Sequence, residues 1–153
     1  MMNRHKHSNY IFILALITCI SCFSVSAQQS PSPEMFYGNW VFNETLSISR
    51  MQADLKQELQ NSAELQQFVA TFFSGKQMFF SPDGTFQITM VNGLQLQGQW
   101  ILQGNQLVTQ TNGAGQSTKT VIFSDNNNLC LIPEQYTNQD AKLLFKEAHY
   151  NKN

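Results

Sequence analysis

The sequence predicts a mainly β protein: an antiparallel meander closing into a barrel of about eight strands, with a one- or two-helix insert after the first strand. Three observations lead there. Apolar and polar residues alternate over 85–90 and again over 94–103, which is the two-residue period of a half-buried strand. The dipeptides and tripeptides Pro82-Asp83-Gly84, Asn92-Gly93 and Gly104-Asn105 cut this region at short intervals with residues suited to tight turns. From Ser49 to Phe73 there is neither Gly nor Pro, and Met51, Leu55 and Leu59 recur at four-residue spacing, one stripe of a helix.

The N-terminus is set apart from this pattern. Arg4 and Lys6, with His5 and His7, form a positive head, residues 11–20 (IFILALITCI) are an apolar run too short for a relaxed membrane span, and Val25-Ser26-Ala27 supplies small residues before a cut. Residues 1–27 are therefore expected to be a secretory signal, with the mature chain secreted or periplasmic. A competing expectation is an outer-membrane lipoprotein cut before Cys22, and membrane association is expected only in that case. Residues 28–35 read as linker and residues 36–148 as the barrel domain.

Trp40-Val41-Phe42 after Gly38 is the first strand, rich in aromatic and β-branched content. The helical insert, about 46–74, divides at a change of phase. Ser49 with Gln52, and Asn61 with Glu64, have the spacing of capping boxes, so helices are expected over 49–60 and 62–74. Residues 77–81 form the next strand, followed by 85–90 and the return strand, where Leu94, Leu96, Gly98, Trp100 and Leu102 share a face opposite Gln95, Gln97, Gln99 and Gln103. Leu107-Val108-Thr109, a Gly- and Asn-rich loop over 111–117, a strand over 118–123, a turn over 125–128, a strand over 129–132 and a last strand over 141–146 complete the order, with a frayed tail from His149. Pairing of the first strand with the last would remove both exposed edges.

Charge and motif content exclude several function classes. With 9 Lys+Arg, 10 Asp+Glu and only 12% charged residues there is no basic surface for a phosphate backbone, so no nucleic-acid partner is expected. After the signal the only histidine is His149, in the expected tail, which leaves no imidazole on a rigid element for a nucleophilic triad. One His and one Cys cannot make a zinc site of N and S ligands. Cys130 lies in Leu129-Cys130-Leu131-Ile132 with no His or carboxylate beside it in sequence, and reads as core. Asp83 and Asp125 fall in turns, Glu58 and Glu64 on helices, and Asp125-Asn126-Asn127-Asn128 lacks calcium-loop spacing. No catalytic residue, metal or cofactor is expected, and the chain reads as a non-enzyme.

The succession Gly38-Asn39-Trp40, Phe79-Phe80-Ser81-Pro82-Asp83-Gly84-Thr85-Phe86, Gly98-Gln99-Trp100 and Gly104-Asn105-Gln106-Leu107 resembles the small secreted lipocalin-like domains of Bacteroidetes bacteria. The resemblance covers most of 36–147. It implies a calycin-type barrel and a small apolar ligand. The helical insert is a departure, more similar in position to intracellular fatty-acid-binding proteins, whose paired arginines are lacking because Arg50 is the only arginine after the signal.

Phe72, Phe80, Phe86, Ile88, Met90, Leu96 and Trp100 are the expected ligand-binding residues, with Leu102 on the same face and Gly98 leaving space among them. The second helix, carrying Phe68, Phe72 and Phe73, would act as a lid. The alternative is a filled core, with Gln- and Thr-rich strand faces binding a protein or polysaccharide partner.

Overall fold

A computed structural model describes residues 30–113, 115–134 and 144–153; the expected signal segment and Cys22 lie outside them. Among these residues eight antiparallel strands close into a barrel in chain order: β1 (Gly38–Phe42), β2 (Gln77–Phe80), β3 (Thr85–Thr89), β4 (Gln95–Gln103), β5 (Gln106–Thr111), β6 (Gly115–Asp125), β7 (Asn128–Pro133) and β8 (Ala148–Lys152). Closure runs through β1 and β8, where Trp40 pairs with Lys152 and Phe42 with Tyr150. The ring of strands leaves no open edge, as the alternation and turn spacing predicted.

The hairpins explain the register. At 81–85 and 90–94 the same device recurs: Gly84 N donates to Ser81 O and Ser81 N to Thr85 O, while Gly93 N donates to Met90 O and Met90 N to Leu94 O. Each is a three-residue loop ending in a glycine of positive φ, 82° at both Gly84 and Gly93. The Asn92-Gly93 turn is thus not the two-residue hairpin its sequence suggests, because Asn92 keeps a negative φ and Val91 joins the loop.

Four short helices lie among the described residues: α1 (Pro33–Phe36), α2 (Glu44–Ser49), α3 (Ala53–Asn61) and α4 (Ala63–Phe72). None is long and apolar enough to cross a membrane. The insert begins earlier than the capping-box reading placed it, since Asn43 caps α2 by accepting from Leu46 N. Ser49 ends that helix, its hydroxyl donating back to Leu46 O. At the second break Ser62, not Asn61, is the cap and accepts from Leu65 N.

Four further expectations are corrected. Helix α1 occupies the end of the expected linker, residues 33–35, and continues into Phe36. The last strand is Ala148–Lys152, not 141–146; residues 141–143 lie outside the described residues, and 144–146 are not strand because Phe145 turns inward against Phe42 and Phe73, at 5.3 and 4.8 Å between ring centroids. His149 is therefore not frayed: its carbonyl accepts from Asn43 N and its amide donates to Ser47 Oγ. The barrel runs through Lys152, past the boundary expected at 148.

Two aromatic clusters occupy the interior. At the end where β1 starts, Phe36 is wholly buried, with ring centroids 5.4 Å from Phe80, 5.4 Å from Trp100 and 5.1 Å from Phe123. Burying a ring of this size contributes about 1.5–3 kcal/mol. Trp40 Nε1 donates 2.7 Å to Phe36 O, which ties α1 to β1 as a plug. At the opposite end Phe42, Phe73, Phe145 and Tyr150 pack beneath the helices.

Candidate functional site

The seven residues expected to line a ligand site separate into three groups. Phe80, Phe86 and Trp100 face inward and are buried, but they are locked with Phe36 in the plugged floor. Ile88, Met90 and Leu96 lie further toward the helix-capped end and are half-buried. Phe72 does not line the interior: it is exposed on α4 beside exposed Phe68, their rings 4.9 Å apart, and only Phe73 of that trio packs inward. The floor is thus packed, while the inward faces of β3 and β4 near the helices keep access to solvent. Leu102 remains at the margin of the buried core.

An inward residue that sequence reasoning passed over changes the character of this space. Along β6 the inward positions are Ser117, Lys119, Val121 and Phe123: Val121 is paired with Leu131 and buried, Phe123 touches Phe36, and Lys119 stands between Leu107 and Pro133 in register. The Lys119 ammonium donates 2.7 Å to Ser117 Oγ. Burial in the barrel, with the positive charge of Lys76 as a smaller cause, pulls its pKa down from 10.5 to about 8. Lys76 belongs to the same inner face: Phe42 N donates to Lys76 O at the helix end of the β1–β2 ladder, and the Lys76 ammonium sits 5.4 Å from the Phe73 ring centroid. Two ammonium groups share this end of the interior, and among the described residues no carboxylate forms an ion pair with either. The strand alternation through Val121 and Phe123 was the available signal, since a lysine two residues before an inward Val shares its face.

The acidic residues weighed for chemistry have structural work instead. Asp83 accepts from the Thr85 hydroxyl and amide, and these bonds hold its carboxyl below the usual range. Asp125 is held low in the same way by Asn127 N and the Asn128 amide. Both fix turns.

The outer face carries a concavity of its own. Gly98 borders it, and a Cβ there would collide with the Gln110 carbonyl and lie 2.8 Å from Phe86 Cε1, so only glycine lets β4 approach β5 so closely. The outer surface beside it is a groove of about 530 Å³ lined by Gln87, Gln97, Gln99 and Gln110, with Thr85 and Phe79 at its side. Phe79 is 49% exposed, with its ring outside the barrel.

Cys130 is buried and free, as expected of a core thiol, but its surroundings differ from the sequence reading. It faces His149 across the β7–β8 ladder, and Glu147 stands two residues before His149. Burial, then the Glu147 charge, pushes the thiol up to about 11, against a smaller opposing effect of Arg50.

Compared with protein-family models the chain matches none, and a search of curated proteins finds no similar sequence.

Proposed function

We propose that the protein is a secreted or periplasmic lipocalin-like barrel, without enzymatic activity, that holds a small ligand with an apolar body and an anionic head in the helix-capped part of its interior. Lys119 is the observation that carries this reading. A desolvated ammonium with only a serine hydroxyl to share its charge is unfavourable for the fold, and an anionic head group would relieve it. With a pKa of about 8 it is still mostly protonated at neutral pH, and Lys76 adds to the attraction. Half-buried Ile88, Met90 and Leu96 offer the apolar body its surface. The exposed side chains Phe68, Phe72, Val91 and Leu94 belong to α4 and the β3–β4 turn, where Gly75 meets Val91, and they suit passage of an apolar molecule across that rim.

The test compares decanoate with decanol by titration calorimetry, two probes of equal apolar length that differ in charge. Decanoate is expected to bind at least tenfold more tightly, and Lys119→Met is expected to erase the difference. Equal affinities in the unmodified protein, or no binding of either, would overturn the proposal.

The groove beside Gly98 favours a second reading, in which the outer face binds an uncharged polysaccharide. Amide side chains both donate and accept, which matches neighbouring sugar hydroxyls, and an exposed ring offers a face to a pyranose. Retention on an uncharged glucan that Phe79→Ala abolishes would support this reading; retention unchanged by that substitution would contradict it.

A further inference from the structure

Away from both the interior and the groove, three side chains of metal-ligating chemistry meet on the outer face of β7 and β8. Cys130 and His149 are cross-strand partners, and Glu147 precedes the first residue of β8. Their ligand atoms all lie within 4.8 Å of one another, and His149 Nε2 is 3.3 Å from Glu147 Oε2. Helix α2 steadies the imidazole-bearing backbone from above: Ser47, 1% exposed, accepts from His149 N at 3.0 Å. The thiol is buried, the imidazole is 15% exposed and the carboxylate side chain 44% exposed, so the cluster is fixed at its base and open at its mouth.

We infer that Cys130, Glu147 and His149 form a three-donor site for one transition-metal ion of the zinc class, with a fourth position open to solvent. The donor set selects the ion. A thiolate with an imidazole suits Zn²⁺ or Co²⁺ and disfavours Ca²⁺ and Mg²⁺, which take oxygen ligands. Zinc bond lengths of about 2.0–2.3 Å put tetrahedral ligands about 3.5 Å apart. The imidazole and carboxylate already stand 3.3 Å apart, and the widest separation in the cluster needs to close by about 1.3 Å at most, a change within reach of small side-chain adjustments. Binding forms the metal–sulfur bond and releases the thiol proton to solvent.

The experiment uses the full chain with Cys19 and Cys22 replaced by Ser, so that Cys130 is the only thiol, and Co²⁺ as the probe. One equivalent is expected to bind, with a thiolate-to-cobalt charge-transfer band that Zn²⁺ abolishes by displacement. Glu147→Gln and His149→Gln are each expected to weaken binding at least tenfold, and Cys130→Ser to remove the band. Circular dichroism checks the fold of each variant, and the half-exposed Glu147 position keeps the test decisive where Cys130→Ser fails to fold. Absence of stoichiometric cobalt binding, a spectrum without the charge-transfer band, or binding unchanged by Glu147→Gln and His149→Gln would overturn the inference.

Discussion

Replacing Lys119 with Met isolates what the buried charge costs the fold. A fall in pKa from 10.5 to about 8 corresponds, at about 1.36 kcal/mol per pH unit, to about 3 kcal/mol against the folded state while the lysine is charged. The sign follows from proton binding. Between pH 8 and 10.5 the unfolded chain holds a proton that folded Lys119 has released, so stability rises with pH across that window, and the penalty is fully present below it. Methionine occupies a similar volume without the charge, but it forfeits the bond to Ser117, which returns about 1 kcal/mol. Lys119→Met should therefore be more stable at pH 7 by about 1–3 kcal/mol, a rise in Tm of about 5–10 °C for a domain this size. The advantage should shrink toward zero by pH 10.5. Urea unfolding of both proteins at pH 7, 8.5 and 10.5 measures it. A variant less stable at pH 7, or a difference that does not change with pH, would refute the premise that Lys119 is a desolvated cation.

Three more substitutions probe the frame around the site. Gly98→Ala should cost about 3 kcal/mol or more in chemical denaturation, because its Cβ meets backbone that cannot yield, whereas Gly93→Ala, which meets nothing within 4 Å, should cost only the positive-φ strain of about 1–2 kcal/mol. Trp40→Phe removes the 2.7 Å bond to Phe36 O and part of the packing over the plug; a loss of about 2–3 kcal/mol is expected by thermal melting, and a neutral result would mean that α1 is not tied to β1 through this bond. Ser47→Ala leaves the His149 amide without its acceptor and should cost about 1–2 kcal/mol, with faster hydrogen exchange at that amide as the local readout.

Most of the frame was legible in the sequence because it rests on local chemistry. Gly84, Gly93 and Gly104 mark turns that no other residue forms as easily, and the alternation from Phe86 to Leu102 assigns an inner face without knowledge of its neighbours. What escaped depends on contacts distant along the chain. Residues 33–35 read as linker, and nothing local marks Phe36 as a plug, because its partners Phe80, Trp100 and Phe123 are far away in sequence. Phe145 belongs to an apolar run that resembles a strand, yet it turns inward to pack on Phe42 and Phe73. His149 looked like tail until β8 paired with β7 and set it opposite Cys130. Lys119 was obscured by a different prior, since a lone lysine in a strand ordinarily marks the solvent face, and only the inward register of Val121 and Phe123 reverses it. Among the expected site residues, Phe80, Phe86 and Trp100 did turn inward, but helix α1 claimed that end of the barrel. Phe72 missed the interior because α4 directs Phe73 inward and leaves Phe68 and Phe72 on its outer side.

The most direct test of an interior built for an apolar anion is the titration of Lys119 itself, followed by heteronuclear NMR of its side-chain methylene and ammonium with and without decanoate. The account predicts a pKa of about 8 in the free protein, moving back toward the ordinary lysine value of about 10.4 when the carboxylate binds. A Lys119 signal that titrates at the same pH with and without saturating decanoate would contradict it.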